Sequence, residues 1–136
     1  MAFSRPIITW SKMGITRPAL AVLALASLCY ALTGGWRDVE PNDFHLELAH
    51  FAVASQTEGL DTYYTVTEVT KASEQVVSGV NYRLEITVVP STCKISGAKY
   101  NRARCLPFPG GIPEHCVAKI YDIPWQKKRQ VTSFSC

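Results

Sequence analysis

The sequence predicts an α+β domain in which one helix packs on a face of about four antiparallel strands. Three observations carry this expectation. Phe44, Leu48, Phe51 and Ala52 recur at helical spacing. Beyond Gly59 the period changes to two, most clearly where Tyr82, Leu84, Ile86 and Val88 alternate with Arg83, Glu85 and Thr87. The 136 residues are 47% apolar and 18% charged, a globular composition long enough for one domain and a short extra segment.

The first 31 residues read differently from the rest. Arg5, Lys12 and Arg17 precede the uncharged run "PALAVLALASLCYA", Pro18 to Ala31, and no acidic residue occurs before Asp38. The run falls short of the roughly 20 residues a membrane span needs. It fits the apolar core of a secretory signal peptide better than a retained anchor, with Cys29 and Ala31 as the small residues before a cut. Residues 1–31 are therefore expected to be a cleaved signal peptide and residues 32–136 a secreted, extracellular domain. A start at Met13 and a cut after Ala26 are the alternatives. Removing three of the 14 basic residues and none of the 11 acidic ones leaves a formally neutral chain. Nothing then favours a nucleic-acid partner, and no membrane partner is expected after signal removal.

Residues 32–37, "LTGGWR", read as a flexible lead-in. A helix is expected from about Pro41 to Gln56. Pro41 suits a first-turn position, Asp38, Glu40 and Asp43 suit the positive end of the helix dipole, and Gly59 is a plausible stop. Leu46 and Val53 fall near the opposite side, so the amphipathicity is imperfect. Two strand-like runs, "TYYTVTEVTKASE" and "VNYRLEITVV", flank the turn "QVVSG". Tight hairpins favour Asn-Gly or Asp-Gly at the turn, yet this one holds Val76 and Val77. Cys116 to Ile123 and Val131 to Cys136 read as further strands, joined by a turn containing Pro124-Trp125. The "KKR" run, Lys127 to Arg129, reads as a solvated strand start. Pro90 to His115, with four prolines and three glycines, reads as a long appended loop pinned at one end by a disulfide.

Cys29 would leave with the signal, so Cys93, Cys105, Cys116 and Cys136 remain as an even set in a secreted chain. Two disulfides are expected, and three pairings are open. The sequential pairing closes short local loops. Spacings of 12, 11 and 20 contain no Cys-x-x-Cys and argue against zinc.

The residues offer no catalytic constellation. His45 and His50 are five apart on the helix and poorly aligned for a shared metal. His115 and Cys116 are adjacent on a strand and so point to opposite faces, which rules out a nucleophile–base pair. The glycines form no phosphate-binding loop. No enzyme, cofactor or metal is expected.

What remains is an ordered set: Gly34-Gly35, then a helix, then Gln75-Val76-Val77-Ser78-Gly79 followed by Val80-Asn81-Tyr82, then four cysteines with Pro124-Trp125 before the last. Over residues 32–136 this set resembles the cystatins, specifically the secreted two-disulfide type 2 cystatins. The resemblance implies a five-stranded antiparallel sheet wrapped around one long helix, the fifth strand lying in the N-terminal segment. It also implies a monomeric, reversible, tight-binding inhibitor of papain-like cysteine proteases of the cathepsin L, S and B type, the alternative being a non-inhibitory binding protein on the same scaffold. The inhibitory wedge would comprise Leu32, Thr33, Gly34 and Gly35, the tip Gln75 to Gly79, and Pro124 with Trp125. Leu60 stands where the family places the asparagine of a second, legumain-directed site, so that activity is not expected. No Asn-x-Ser/Thr occurs, so N-glycosylation is not expected either.

Overall fold

The computed structural model describes residues 34–136; the expected signal segment, with Leu32 and Thr33, lies outside them. The elements are β1 (Trp36–Val39), α1 (Asp43–Ala54), β2 (Thr62–Val77), β3 (Gly79–Lys94), β4 (Glu114–Ile123), a 3-10 turn (Pro124–Gln126) and β5 (Lys128–Ser135). The strands form one antiparallel sheet in the order β1-β2-β3-β4-β5, with α1 on one face. Trp36–Cys136 forms a compact unit.

The helix starts two residues later than Pro41 suggested. Asn42 is the N-cap: its Oδ1 accepts from the His45 N–H at 3.1 Å, and His45 Nδ1 accepts from the Asn42 N–H at 3.1 Å. This is a capping box with histidine in the place usually held by glutamate or glutamine. Pro41 has no polar side chain to satisfy a free N–H, so the asparagine sets the boundary. At the other end the helix stops at Ala54, ahead of Gly59. Ser55 caps it, its Oγ donating to the Ala52 carbonyl at 2.7 Å, and Gly59 (φ +75) belongs to the following turn.

The buried face of α1 is centred on Leu48, Ala49, Ala52 and Val53, all fully buried. Phe44 and Phe51 lie only partly buried at its margin, and Val53 is core, which corrects the face read from spacing. Opposite stand Leu84, Ile86 and Val88 of β3 with Ala118 and Ile120 of β4, so the alternation along β3 holds. Truncating one of these large side chains to alanine would cost about 2–5 kcal/mol.

Strand β2 is less regular. Register shifts fall between Thr62 and Tyr64, Val66 and Glu68, and Val69 and Lys71. Bulges of this kind bend a strand and raise its twist, letting the sheet wrap the helix. β1 replaces the expected lead-in from Trp36 onward, pairing Trp36 with Gln75 through Val39 with Ala72. It is held further by Ser73 Oγ donating to Asp38 at 2.6 Å and Arg37 pairing with Glu74.

The loop between β3 and β4 is shorter than the sequence suggested. β3 continues through Pro90 to Lys94, leaving residues 95–113 as the connection. Disulfides join Cys93 to Cys105 and Cys116 to Cys136, the sequential pairing among the three left open.

Candidate functional site at the hairpin tips

The β2–β3 hairpin turns on a single residue. Val77 pairs with Gly79, leaving Ser78 at the tip. Gly79 has φ +108, and a Cβ there would come within 2.9 Å of the Asp122 carbonyl oxygen and 3.1 Å of the Tyr121 hydroxyl. Only glycine allows both this backbone angle and this approach. The Tyr121 hydroxyl donates to the Ser78 carbonyl, so the tip rests on β4. Behind it, Asn81 Nδ2 donates to Gln75 Oε1 at 3.2 Å across the ladder. Val76 and Val77 remain 56% and 44% exposed on this braced turn.

Two residues after Asp122 the chain makes the second tip. Pro124, Trp125 and Gln126 form one 3-10 turn, closed by the Lys127 N–H donating to the Pro124 carbonyl at 3.1 Å. Lys127 takes the left-handed conformation (φ 50) that reverses the chain into β5. Trp125 is 66% exposed and is no part of the core. Both tips thus stand at the same end of the sheet, with β4 residues 121–123 running beneath the first and into the second.

Arg129 anchors the second hairpin to the helix. Its Nε donates to buried Asp122 at 3.1 Å, and its terminal nitrogen donates to Glu47 on α1 at 3.2 Å. The guanidinium lies 5.5 Å from the Phe44 ring centre and 5.7 Å from that of Phe51. A solvated "KKR" is therefore wrong at its third residue. Phe44 and Phe51 sit outside the core face because they pack on this cation, an arrangement that stabilises by roughly 0.5–2 kcal/mol per ring depending on desolvation. Neither Tyr121 nor Arg129 stood out in the sequence.

In the N-terminal segment, Gly34 has φ +77, again a conformation that favours glycine. Gly34 and Gly35 precede Trp36, whose partner across the ladder is Gln75 of the first tip. Trp36 is itself half-exposed, a feature that only the strand pairing reveals.

The histidines do structural work. His45 belongs to the capping box. His50 is buried against Tyr100, sharing a 2.5 Å hydrogen bond with its hydroxyl, and burial with the nearby Arg102 charge pushes its pKa down to about 4. His115 is exposed while Cys116 is buried in its disulfide, so no thiol–imidazole pair exists there. The other three cysteines of the domain are likewise bonded and cannot act as thiolate ligands.

The cystatin domain family model matches residues 34–125, a span that contains both glycines, the first tip, and Pro124 with Trp125 of the second. The chain belongs to the cystatin family. Cystatins are inhibitors of cysteine proteases and not enzymes, and the two disulfides are consistent with type 2 members. This cystatin is 48% identical over 126 residues to Cystatin-1 of Ornithodoros moubata, covering 88% of this chain and 98% of that one. It is 42% identical over 108 residues to mialostatin of Ixodes ricinus, covering 78% and 77% respectively. The crystal structure of a salivary cystatin from the soft tick Ornithodoros moubata superposes with a TM-score of 0.73 at 46% identity, covering 76% of this chain and 96% of that one.

Proposed function

We propose that this chain is a secreted, monomeric, reversible and tight-binding inhibitor of papain-like cysteine proteases of the cathepsin L, S and B type. It blocks the active-site cleft with a wedge of three parts: the trunk Leu32 to Gly35, the tip Gln75 to Gly79, and Pro124 with Trp125. The observation that supports this most is the exposure of Val76, Val77 and Trp125 on two turns braced by Tyr121 and Arg129 at one end of the sheet.

An inhibitor that does no chemistry must gain affinity from shape that is already formed. Turns fixed by a sheet lose little entropy on docking. The valines then bring apolar surface to the cleft, and Trp125 is a rigid anchor of the type enriched at interface hot spots. Pro124 stiffens the second turn. Gly34 lets the trunk bend away from the catalytic thiol, so that no cleavable bond is presented, while Leu32 and Thr33 fill non-primed subsites. Residues 1–31 act as a signal peptide that directs the chain to an oxidising compartment and is then removed, and both disulfides suit that compartment.

The test is a titration of papain and of cathepsin L with the processed chain, residues 32–136. Inhibition with stoichiometric, reversible binding is expected. A chain that is folded by circular dichroism yet leaves both enzymes fully active would instead be a binding protein on the same scaffold.

A further inference from the structure

The loop of residues 95–113 presents apolar side chains to water on a backbone that is firmly held. Its last part runs against β3: the Thr92 N–H donates to the Leu106 carbonyl at 3.0 Å and the Phe108 N–H donates to the Pro90 carbonyl at 2.8 Å. Ser91 and Pro107 face each other across this bridge, so Leu106 and Phe108 share the alternate side. A turn then closes from the Gly111 N–H to the Phe108 carbonyl at 3.0 Å, with Pro109 and Gly110 (φ +80) at its centre. That residue pair and angle describe a type II turn. The disulfide from Cys105 to Cys93 fixes the base. In spite of this order, Leu106 is 58%, Phe108 57% and Ile112 80% exposed. A floppy loop could hide such residues by moving; this one is stiffened by three prolines and holds them out.

The same loop is strongly basic. Residues 95–113 carry Lys99, Arg102 and Arg104 and no acidic residue. All three cations are exposed, and among the described residues none is in an ion pair. Lys99 and Arg104 line one cleft of about 270 Å³ whose wall includes the Cys93–Cys105 disulfide, the base from which the apolar arm leaves. One loop of 19 residues thus carries both the exposed cations and the projecting Leu, Phe and Ile side chains.

We propose that this loop is a docking surface for anionic lipid bilayers, with Phe108 and Ile112 entering the headgroup–acyl boundary and Lys99, Arg102 and Arg104 meeting lipid phosphates and carboxylates. Pairing of basic with aromatic and aliphatic side chains is the composition of peripheral membrane-binding elements, and anionic leaflets attract such clusters. Among the described residues no helix is long and apolar enough to cross a membrane. β3 runs from Gly79 at the first tip to Lys94 at the loop, 16 residues or roughly 50 Å of strand. The loop thus lies at the far end of the β3–β4 hairpin from Ser78 and Pro124. Docking there leaves both hairpin tips facing solution, which would concentrate the protein on a surface with those tips free. The proposal does not depend on which protease, if any, the tips engage.

The test is sedimentation of the processed chain with vesicles of phosphatidylcholine alone and of phosphatidylcholine with about 30% phosphatidylserine. The helix, the sheet and both disulfides lie within residues 36–136, so the processed chain keeps the whole core. Binding to the anionic vesicles is expected to exceed binding to neutral ones roughly tenfold or more, and to weaken as salt shortens the Debye length. The double variant Phe108→Ser/Ile112→Ser should lower partitioning about tenfold, and Lys99→Glu/Arg104→Glu should abolish the preference for anionic lipid. Papain inhibition by both variants, compared with the parent, should be unchanged. Equal partitioning of the parent into both vesicle types, or variants that bind as the parent does, would overturn the proposal. So would capture by heparin or a soluble acidic protein without vesicle binding.

Discussion

Trp125→Ala separates an interface role from a structural one. Trp125 is 66% exposed in a 3-10 turn, and its neighbours Pro124 and Lys127 close that turn through backbone atoms alone. Truncation should therefore change folding stability by no more than about 0.5 kcal/mol, as for other surface sites. A tryptophan offers up to about 250 Å² of surface, so roughly 165 Å² is free to be covered by a partner. At about 25 cal/mol per Å² this sets an upper limit near 4 kcal/mol, and hot-spot tryptophans commonly contribute about 2 kcal/mol or more. The inhibition constant against papain should thus rise between about thirtyfold and several-hundredfold. Progress-curve inhibition assays at several inhibitor concentrations measure this, with urea unfolding of the same samples as the control. An unchanged inhibition constant would refute the anchoring role. A large loss of stability would show that the side chain packs inside despite its exposure.

Gly79→Ala should strain the first tip, because the added Cβ meets the Asp122 carbonyl at 2.9 Å while φ stays at +108; a loss of about 1–3 kcal/mol in stability and weaker inhibition are expected, checked by thermal unfolding and papain titration. Deleting Leu32 and Thr33 should weaken inhibition of cathepsin L by at least about tenfold, or 1.4 kcal/mol, with no change in unfolding; equal inhibition constants would remove the trunk from the wedge. Arg129→Ala leaves the buried Asp122 carboxylate without its guanidinium partner, which should cost about 2–3 kcal/mol and lower the melting temperature by roughly 10–20 °C, measured by calorimetry. For His50, a folded-state pKa of about 4 against an ordinary 6.5 means the unfolded chain binds the proton first. Its neutral form therefore contributes stability that is whole above pH 6.5 and is lost as pH falls toward 4, by at most about 3 kcal/mol. Burial lowers the His45 pKa too, so it acts with the same sign. Urea unfolding from pH 7 to 4 should show the decline, and His50→Gln should flatten it.

The parts of this protein legible in its sequence are those specified by local chemistry. From Tyr82 to Val88 the alternation of β3 survives because every second side chain faces the core, and it breaks at Val89, which is buried beside Val88. Val76, Val77 and Trp125 are conspicuous because a residue type misplaced for stability invites another explanation, and all three lie at the hairpin tips. What escapes the sequence is set by partners far along the chain. β1 is four residues with no buried position, so no periodicity could reveal it; its strand character comes from Ala72 to Gln75. The bulges of β2 erase its period where the sheet must bend. Phe44 and Phe51 have the spacing of a core stripe, yet their shared neighbour is Arg129, and the charge that keeps Arg129 there is split between Asp122, seven residues away, and Glu47, 82 residues away. In a run of three basic residues nothing local marks the third as the one that is half-buried. The same holds for Tyr121, whose hydroxyl reaches Ser78 across 43 residues of sequence. The apolar side chains of the tips can be read in the sequence because they stay exposed where a turn would ordinarily be polar. The residues that hold them rigid cannot, because the partners they depend on lie far away in it.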